Sequence, residues 1–344
     1  MCSLIFLKMK HKLILTFFVL PLLTMGQEPL HYWGKTDSFL VAQANETFSL
    51  IHEILREQPP STEFSTLRKS ALLHVDWILH DTRLDQSTSI YRFMQERMQL
   101  IAEDLLKPVK TGMKVYKLYN HGFIVKTNKA TIAFDLYRGV RQDKEPYIAN
   151  ALMEQLVKQC DIMFVSHRHS DHADWEVAKM FINQQKTVVV PTGLWADKGH
   201  YIKQMRSEDI IEDKITLANQ AVLNVKVMPG HQDDVPNNVY IVTTPEGISV
   251  AHTGDQWSKD KDGWIDHVKD HSDVDVLLVH CWAMPLEKMA NGFNPKLIIN
   301  GHENELTHHS VDHREPYWLN ERRMRLVKQP RVYMTWGEHY TYKK

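Results

Sequence analysis

Cysteine is scarce in this 344-residue sequence, which holds three, at Cys2, Cys160 and Cys281. Cys160 precedes one predicted strand and Cys281 follows another, so in a parallel arrangement they stand at opposite strand ends and no disulfide between them is expected. Cysteine usage leaves the compartment open. An excess of charge of one sign is also missing: 41 basic side chains meet 42 acidic ones, for a formal net charge of -1. No basic stripe stands out, which argues against a nucleic-acid partner. Internal repeats and low-complexity segments are absent too. The apolar run from Leu13 to Leu23 is short of the roughly 20 residues that span a bilayer. What remains is ordinary globular composition, 43% hydrophobic, in a chain long enough for one large domain with an appendage or for two domains.

The apolar run has a different use. Lys8, Lys10, His11 and Lys12 precede it, and Thr24-Met25-Gly26-Gln27 follows. A basic segment, a short apolar segment and a small-residue end make a secretory leader, with cleavage expected after Gly26. Cys2 lies before the apolar segment, so it is not placed as a lipoprotein acceptor. The other reading of the run is a membrane anchor. Export to the periplasm or medium is expected, with no stable membrane span after cleavage. The expected divisions are 1–26 as leader, 27–110 as a helical extension and 111–344 as the main domain.

The extension reads as three helices. Phe48, Ile51, Ile54 and Leu55 share a face of the first, which stops near Pro59-Pro60. Leu67, Ala71, Leu72, Val75, Ile78 and Leu79 mark a second; Ile90, Phe93, Met94, Met98, Ile101 and Leu105 mark a third, ended by Pro108. No chemical cluster lies here, so a cap or packing layer is expected, with a substrate lid as the alternative. From Gly112 the pattern changes to short strands. Met113–Leu118, Gly122–Lys126 and Ala130–Phe134 predict a meander, with Asp135 at its end. A helix over Tyr147–Lys158 follows, then the strand Asp161–Val165. Further strands are expected at Thr187–Val190, Val222–Val227, Val239–Val242, Ile248–Ala251, Val274–Val279, Lys296–Ile299 and Arg331–Trp336. Mixed strands with interspersed helices predict a layered α/β domain.

The chemistry begins at Val165-Ser166-His167-Arg168-His169-Ser170-Asp171-His172. Three imidazoles and a carboxylate within six positions are ligands suited to zinc and its borderline neighbours. An apolar strand precedes them, and helical spacing over Asp174–Asn183 follows, with Ser170 or Asp171 able to cap it. In a chain with 20 histidines a stray pair means little, but this ordered cluster on a strand-to-helix turn reads as a metal site. Three later strand ends repeat one device: Gly230-His231, Gly254-Asp255 and Gly301-His302. Glycine permits the sharp turn and close approach that let the next side chain enter a shared pocket.

These motifs resemble the metallo-β-lactamase-fold hydrolase superfamily, from about Gly112 to the C-terminus. The resemblance implies an αββα sandwich with a dinuclear site at one edge of its sheets. It assigns His167, His169 and His231 to one metal, and Asp171, His172 and His302 to a second, with Asp255 bridging. Asp135 matches the acidic residue that supports such sites from behind the ligands. Zinc β-lactamases generally lack the bridging aspartate, so Asp255 argues against antibiotic hydrolysis. The Thr253-Gly254-Asp255 and Asn300-Gly301-His302-Glu303 segments are similar to the ascorbate-6-phosphate lactonase and N-acyl phosphatidylethanolamine phospholipase D-like branch. Di-iron members that handle oxygen commonly place an acidic residue where His169 stands, and carry a flavin partner that is missing here.

The expected activity is therefore hydrolysis of an ester, lactone or phosphodiester in a small-molecule substrate. Two divalent ions, zinc with manganese or iron as alternatives, would activate a shared water near neutral pH. Asp171 can orient the nucleophile and pass on its proton. His252, His280 and His308 are candidates for supporting groups or proton donors, each with a structural histidine as the alternative. Arg138 can hold an anionic substrate group or be an ordinary surface arginine. The competing functions are a β-lactamase or amidase, and a catalytically silent metal-binding protein of the same fold.

Overall fold

The computed structural model describes residues 36–63, 65–79, 88–141, 144–205, 209–257, 263–283, 285–306 and 315–344. The expected leader and His308 lie outside the described residues.

Apolar side chains three and four positions apart build the first helices. Helix α1 (Thr36–Glu57) buries Ala44, Phe48, Ile51 and Leu55, and α2 (Thr66–Leu79) buries Ala71, Leu72, Val75, Ile78 and Leu79. Helix α3 (Thr88–Leu105) buries Ile90, Phe93, Met94, Met98, Ile101 and Leu105. Phe48 stacks on Phe93 with ring centroids 4.3 Å apart, joining α1 to α3. These are the predicted helices on their predicted faces, except that Leu67 points outward and is 48% exposed.

Strands β1 (Met113–Lys117), β2 (Phe123–Lys126) and β3 (Thr131–Phe134) form the expected antiparallel meander. After α4 (Asn150–Gln159) the chain enters β4 (Ile162–Phe164), which lies parallel to β3. Helix α5 (Trp175–Asn183) leads to β5 (Thr187–Pro191) and β6 (Ile202–Met205), both parallel additions. Asp174, not Ser170 or Asp171, caps α5, its side chain accepting from the Glu176 and Val177 amides. Asp171 is thereby left to the site.

The second sheet starts with β7 (Ile211–Thr216), β8 (Val222–Gln232) and β9 (Val235–Thr243), which are antiparallel neighbours. Strands β10 (Ser249–His252), β11 (Val276–His280), β12 (Leu297–Gly301) and β13 (Arg331–Val332) then run parallel to one another. Helices α6 (Val268–His271), α7 (Leu286–Phe293) and α8 (Tyr317–Arg323) lie between or after them. The predicted strand Arg331–Trp336 ends at Val332. The chain then crosses to the first sheet as β14 (Glu338–Tyr342), which pairs antiparallel with β1. Strand β14 has no continuous apolar run to betray it, and β6 and β7 are equally polar.

Among the described residues each sheet has seven strands, ordered β14-β1-β2-β3-β4-β5-β6 and β13-β12-β11-β10-β9-β8-β7. Alternate side chains, among them Val115, Ile132, Phe134 and Phe164 from one sheet and Val227, Val250, Leu278 and Ile299 from the other, fill the space between them. A second apolar cluster on the outer faces joins residues of α1, α2 and α3 to those of α4, α5 and α7. This is the αββα sandwich, with the N-terminal helices part of its outer layer. Buried polar pairs reinforce that attachment. Arg68 of α2 makes two bonds to the Glu338 carboxylate, at 2.8 and 2.6 Å, and Asp104 of α3 accepts from Lys114 and Tyr116 of β1 at 2.6 and 2.9 Å.

Candidate metal centre

Strands β3 and β4 of one sheet and β10, β11 and β12 of the other run parallel, so their carboxyl ends meet at one edge of the sandwich. Asp135 follows β3, His167 to His172 follow β4, Asp255 follows β10 and His302 follows β12. Ligand atoms of Asp171, His172, Asp255 and His302 all lie within 4.8 Å of one another, and so do those of His167, His169 and Asp255. Asp255 is common to both groups. The His172 Nε2 is 3.2 Å from Asp255 Oδ1 and 3.1 Å from Asp171 Oδ2. The His302 Nε2 is 3.3 Å from Asp171 Oδ2, and the His167 Nε2 is 3.8 Å from Asp255 Oδ2.

The glycines act by close approach, as expected. A side chain at Gly254, which has φ +51°, would collide with Asn237 and with Ser166; one at Gly301 would collide with the His121 ring. Gly230 is hemmed in by Asn237 and Gln256 in the same way.

Proton positions follow from the surrounding bonds. Ser166 Oγ has one hydrogen and gives it to Asp135 Oδ2 at 2.6 Å, so at 2.9 Å it accepts from His167 Nδ1. Asp135 Oδ2 also accepts from His172 Nδ1 at 2.7 Å, and the Asp233 carbonyl accepts from His231 Nδ1 at 3.1 Å. In their neutral form all three rings therefore carry hydrogen on Nδ1 and turn Nε2 toward the centre. The Nε2 atoms of His167, His172, His231 and His302, with Asp255 Oδ1, are buried and have no hydrogen-bond partner. Buried acceptors gathered without donors are what a bound cation satisfies, so the donor set fits divalent metal. His231 stands apart in one respect: it is outside both 4.8 Å groups, although Gln256 Oε1 fixes its backbone amide at 2.7 Å.

The electrostatics agree. Burial holds His167 down to about 3, with nearby His172 acting in the same sense. At His302 burial is outweighed by Asp255, Asp171 and Glu305, and the ring is pushed up to about 9. At His172 burial is likewise overcome, by Asp255, Asp171 and Asp135. Asp255 and Asp171 stay ionised well below the usual carboxylate range, because neighbouring His172 and His302 offset the cost of burial. The centre is thus a pocket of negative potential, attractive to multivalent cations.

A cavity of about 360 Å³ opens onto His169, Asp171, Asp255 and His302, and its other walls include Tyr137, Gln232, Trp282 and Glu305. Of the residues expected to aid proton transfer, Asp171 lines this cavity, with Oδ2 held by Asn120 Nδ2 at 2.9 Å. His252 does not. It is fully buried between the sheets, stacked on Phe134, with Nε2 on the His121 carbonyl at 3.0 Å and Nδ1 facing the Gly254 amide at 3.2 Å. Of the two readings open for it, these contacts fit the structural histidine. His280 is buried as well, with Nε2 on the Gln256 carbonyl at 2.7 Å. Arg138 is also taken: its guanidinium engages Asp174 at 2.8 and 3.0 Å and Asn150 at 2.7 Å, so it does not serve as an anion clamp.

The residue pattern did not single out Ser166, Asn120, Asn237 and Gln256, which orient the ligands, or Tyr137, Trp282 and Glu305, which line the cavity. Ser166 and Gln256 each adjoin a ligand candidate, and that adjacency was the available signal. Asn120 reads as turn chemistry, which it also is, at φ +56°.

Compared with known domain families, residues 114–302 match the family described as beta-lactamase superfamily domain. No curated protein sequence matches. Among solved structures, Igni18, a metallo hydrolase of the hyperthermophilic archaeon Ignicoccus hospitalis, is 15% identical with a TM-score of 0.49, covering 68% of this chain and 100% of its own. CmlA, a diiron β-hydroxylase of Streptomyces venezuelae, is 11% identical with a TM-score of 0.50, covering 69% of this chain and 55% of its own. An isothiocyanate hydrolase from Delia radicum gut bacteria is 11% identical with a TM-score of 0.45, covering 67% and 99%. The likeness to CmlA is one of fold.

Proposed function

The chain belongs to the metallo-β-lactamase superfamily, and from that footing we propose that it is an exported hydrolase working with two divalent cations on a small ester, lactone or phosphodiester. The observation that carries this reading is the set of buried Nε2 atoms without a hydrogen-bond partner on His167, His172, His231 and His302, gathered with Asp255. His167, His169 and His231 would hold one cation, and Asp171, His172 and His302 the other, with Asp255 shared. The nitrogen and oxygen donors suit zinc, with manganese and iron as the alternatives for metal analysis to decide. Such cations supply Lewis acidity, making a water nucleophilic near neutral pH and drawing charge from the scissile group.

The protein's own groups do the rest. Asp171, whose Oδ2 is steadied by Asn120, lines the cavity and would orient the attacking water and take its proton. Asp135 keeps the His172 ring turned toward the centre, and Ser166 does the same for His167. Tyr137 and Trp282 give the cavity aromatic walls, and its volume of about 360 Å³ suits a small molecule. Export rests on the leader-like N-terminus, and N-terminal sequencing of the secreted chain would test it.

The deciding experiment assays metal-analysed mature protein, with and without chelator, on aryl phosphodiesters, lactones, thioesters and β-lactams. Chelator-sensitive turnover of one of the first three classes is expected. Binding of less than one metal equivalent would sink the proposal. Two tightly bound equivalents with no turnover on any class would favour the silent metal-binding protein, and β-lactam turnover the amidase reading.

A further inference from the structure

Two of three consecutive residues after β12 have left-handed backbone without being glycine: His302 at φ +69° and Asn304 at φ +54°. Such conformations are costly, so the loop must be held in place by contacts from outside it. Residues 302–306 are all buried. The His302 amide donates to the Asn120 carbonyl at 3.0 Å, and the Leu306 amide to Tyr119 Oη at 2.9 Å. Glu303 is paired with Lys117 and accepts from Asn320 Nδ2 at 2.7 Å. Asn304 is held by the helical region. Its Nδ2 donates to Asp76 Oδ1, on α2, at 2.9 Å.

The Asp76 carboxylate is built into its surroundings. It also accepts from the backbone amides of Tyr317 at 2.9 Å and Trp318 at 3.1 Å, the first residues of α8. Helix α2 in turn is fixed to the first sheet by Arg68, whose guanidinium reaches Glu338 and the Tyr333 carbonyl. A continuous path of buried hydrogen bonds therefore runs from β14 through α2 to the residue two positions beyond His302.

We infer that Asp76 is a positioning residue for the metal position built on Asp171, His172 and His302, acting through Asn304 to fix where His302 Nε2 points. The inference rests on the metal-dependent reading above. It gives the N-terminal helices a part in the centre although they contribute no ligand. It also makes the two metal positions unequal: the one served by His167, His169 and His231 is oriented through Ser166, Asp135 and Gln256, and of these only Asp135 also bears on the other position, through His172.

The test titrates metal-free full chain with Zn2+ against a competing chelator. Wild type is expected to take up two equivalents. In Asn304→Gly, which removes the amide while tolerating the left-handed backbone, one equivalent should weaken by about 10- to 100-fold and the other should hold its affinity. Asp76→Asn, which keeps the carboxylate's shape, should do the same to a smaller degree; Co2+ loading would show the loss in a single absorption band set. Thermal unfolding of the metal-free variants separates positioning from a general loss of fold. Two unchanged equivalents, or parallel weakening of both, would overturn the inference while leaving the proposed function intact. Failure of wild type to bind metal at all would overturn both.

Discussion

Ser166 stands between Asp135 and His167, giving its hydroxyl hydrogen to the carboxylate at 2.6 Å and taking one from the imidazole at 2.9 Å. One buried carboxylate thus sets the tautomer of two rings, His172 directly and His167 through a serine. Ser166→Ala removes the acceptor for His167 Nδ1 without touching a ligand. Metal affinity is expected to fall about tenfold at the position His167 serves, with the far-ultraviolet circular dichroism unchanged. Asp135→Asn should cost more, because both rings lose their orientation. Equal affinities for wild type and Ser166→Ala in a chelator competition would show that the serine does not orient the ring.

Lys117 and Glu303 form an ion pair with both side chains fully buried, and Lys117 Nζ also donates to the Met334 carbonyl at 2.9 Å. Removing one partner strands the other. Lys117→Met should therefore destabilise the chain by about 3–5 kcal/mol in denaturant unfolding. The double variant Lys117→Met, Glu303→Gln should recover a large part of that loss, since the stranded charge is gone. A single-variant loss below about 1 kcal/mol would contradict a desolvated pair.

Much of this candidate centre was legible in the sequence because the side chains gathered in it sit at strand ends. A strand end is marked by an apolar run, and His167, Asp255 and His302 each follow one within a few residues. The helices were legible for the same reason, through the 3–4 spacing of residues such as Phe93, Met94, Met98 and Ile101. Apart from Asp135, the groups that orient these side chains were not. Ser166 and Gln256 are ordinary polar residues whose meaning depends on partners 25 to 31 positions away. His252 was open to two readings. Its place next to Thr253-Gly254-Asp255 suggested chemistry, but strand alternation turns it into the space between the sheets, with Val250. Strand β14 was hidden because its sequence, Glu338-His339-Tyr340-Thr341-Tyr342, takes its place from pairing with β1 and not from its own hydrophobicity.

Asp104 links α3 to β1, and its pH dependence has a definite sign. Burial alone would raise its pKa, but bonds from Lys114 and Tyr116 outweigh burial and bring it down to about 2. A depressed carboxylate contributes stability above its unfolded value of 3.8, and that contribution disappears as pH falls through about 2. At neutral pH, Asp104→Asn is expected to cost about 1 kcal/mol, allowing for partial solvent screening. The gap between variant and wild type should then close between pH 4 and pH 2, an interval of about two units set by the shift. A gap that stays constant over that range in urea unfolding would mean that the carboxylate's charge contributes nothing.

Trp282 lines the cavity and meets the His302 ring edge-on, with centroids 5.4 Å apart. Two roles predict different kinetics. If the indole only offers the substrate an apolar wall, it binds ground state and transition state alike. Trp282→Ala should then raise KM about tenfold on whichever substrate class is turned over, with kcat within about threefold of wild type. If the indole mainly braces His302, the loss should fall on kcat, and metal affinity should weaken with it. The first outcome is expected, because His302 is already held by its backbone and by the loop that follows, whereas the indole is only partly buried and faces the cavity. Trp282→Phe should restore most of the affinity in the first case, since an aromatic wall remains.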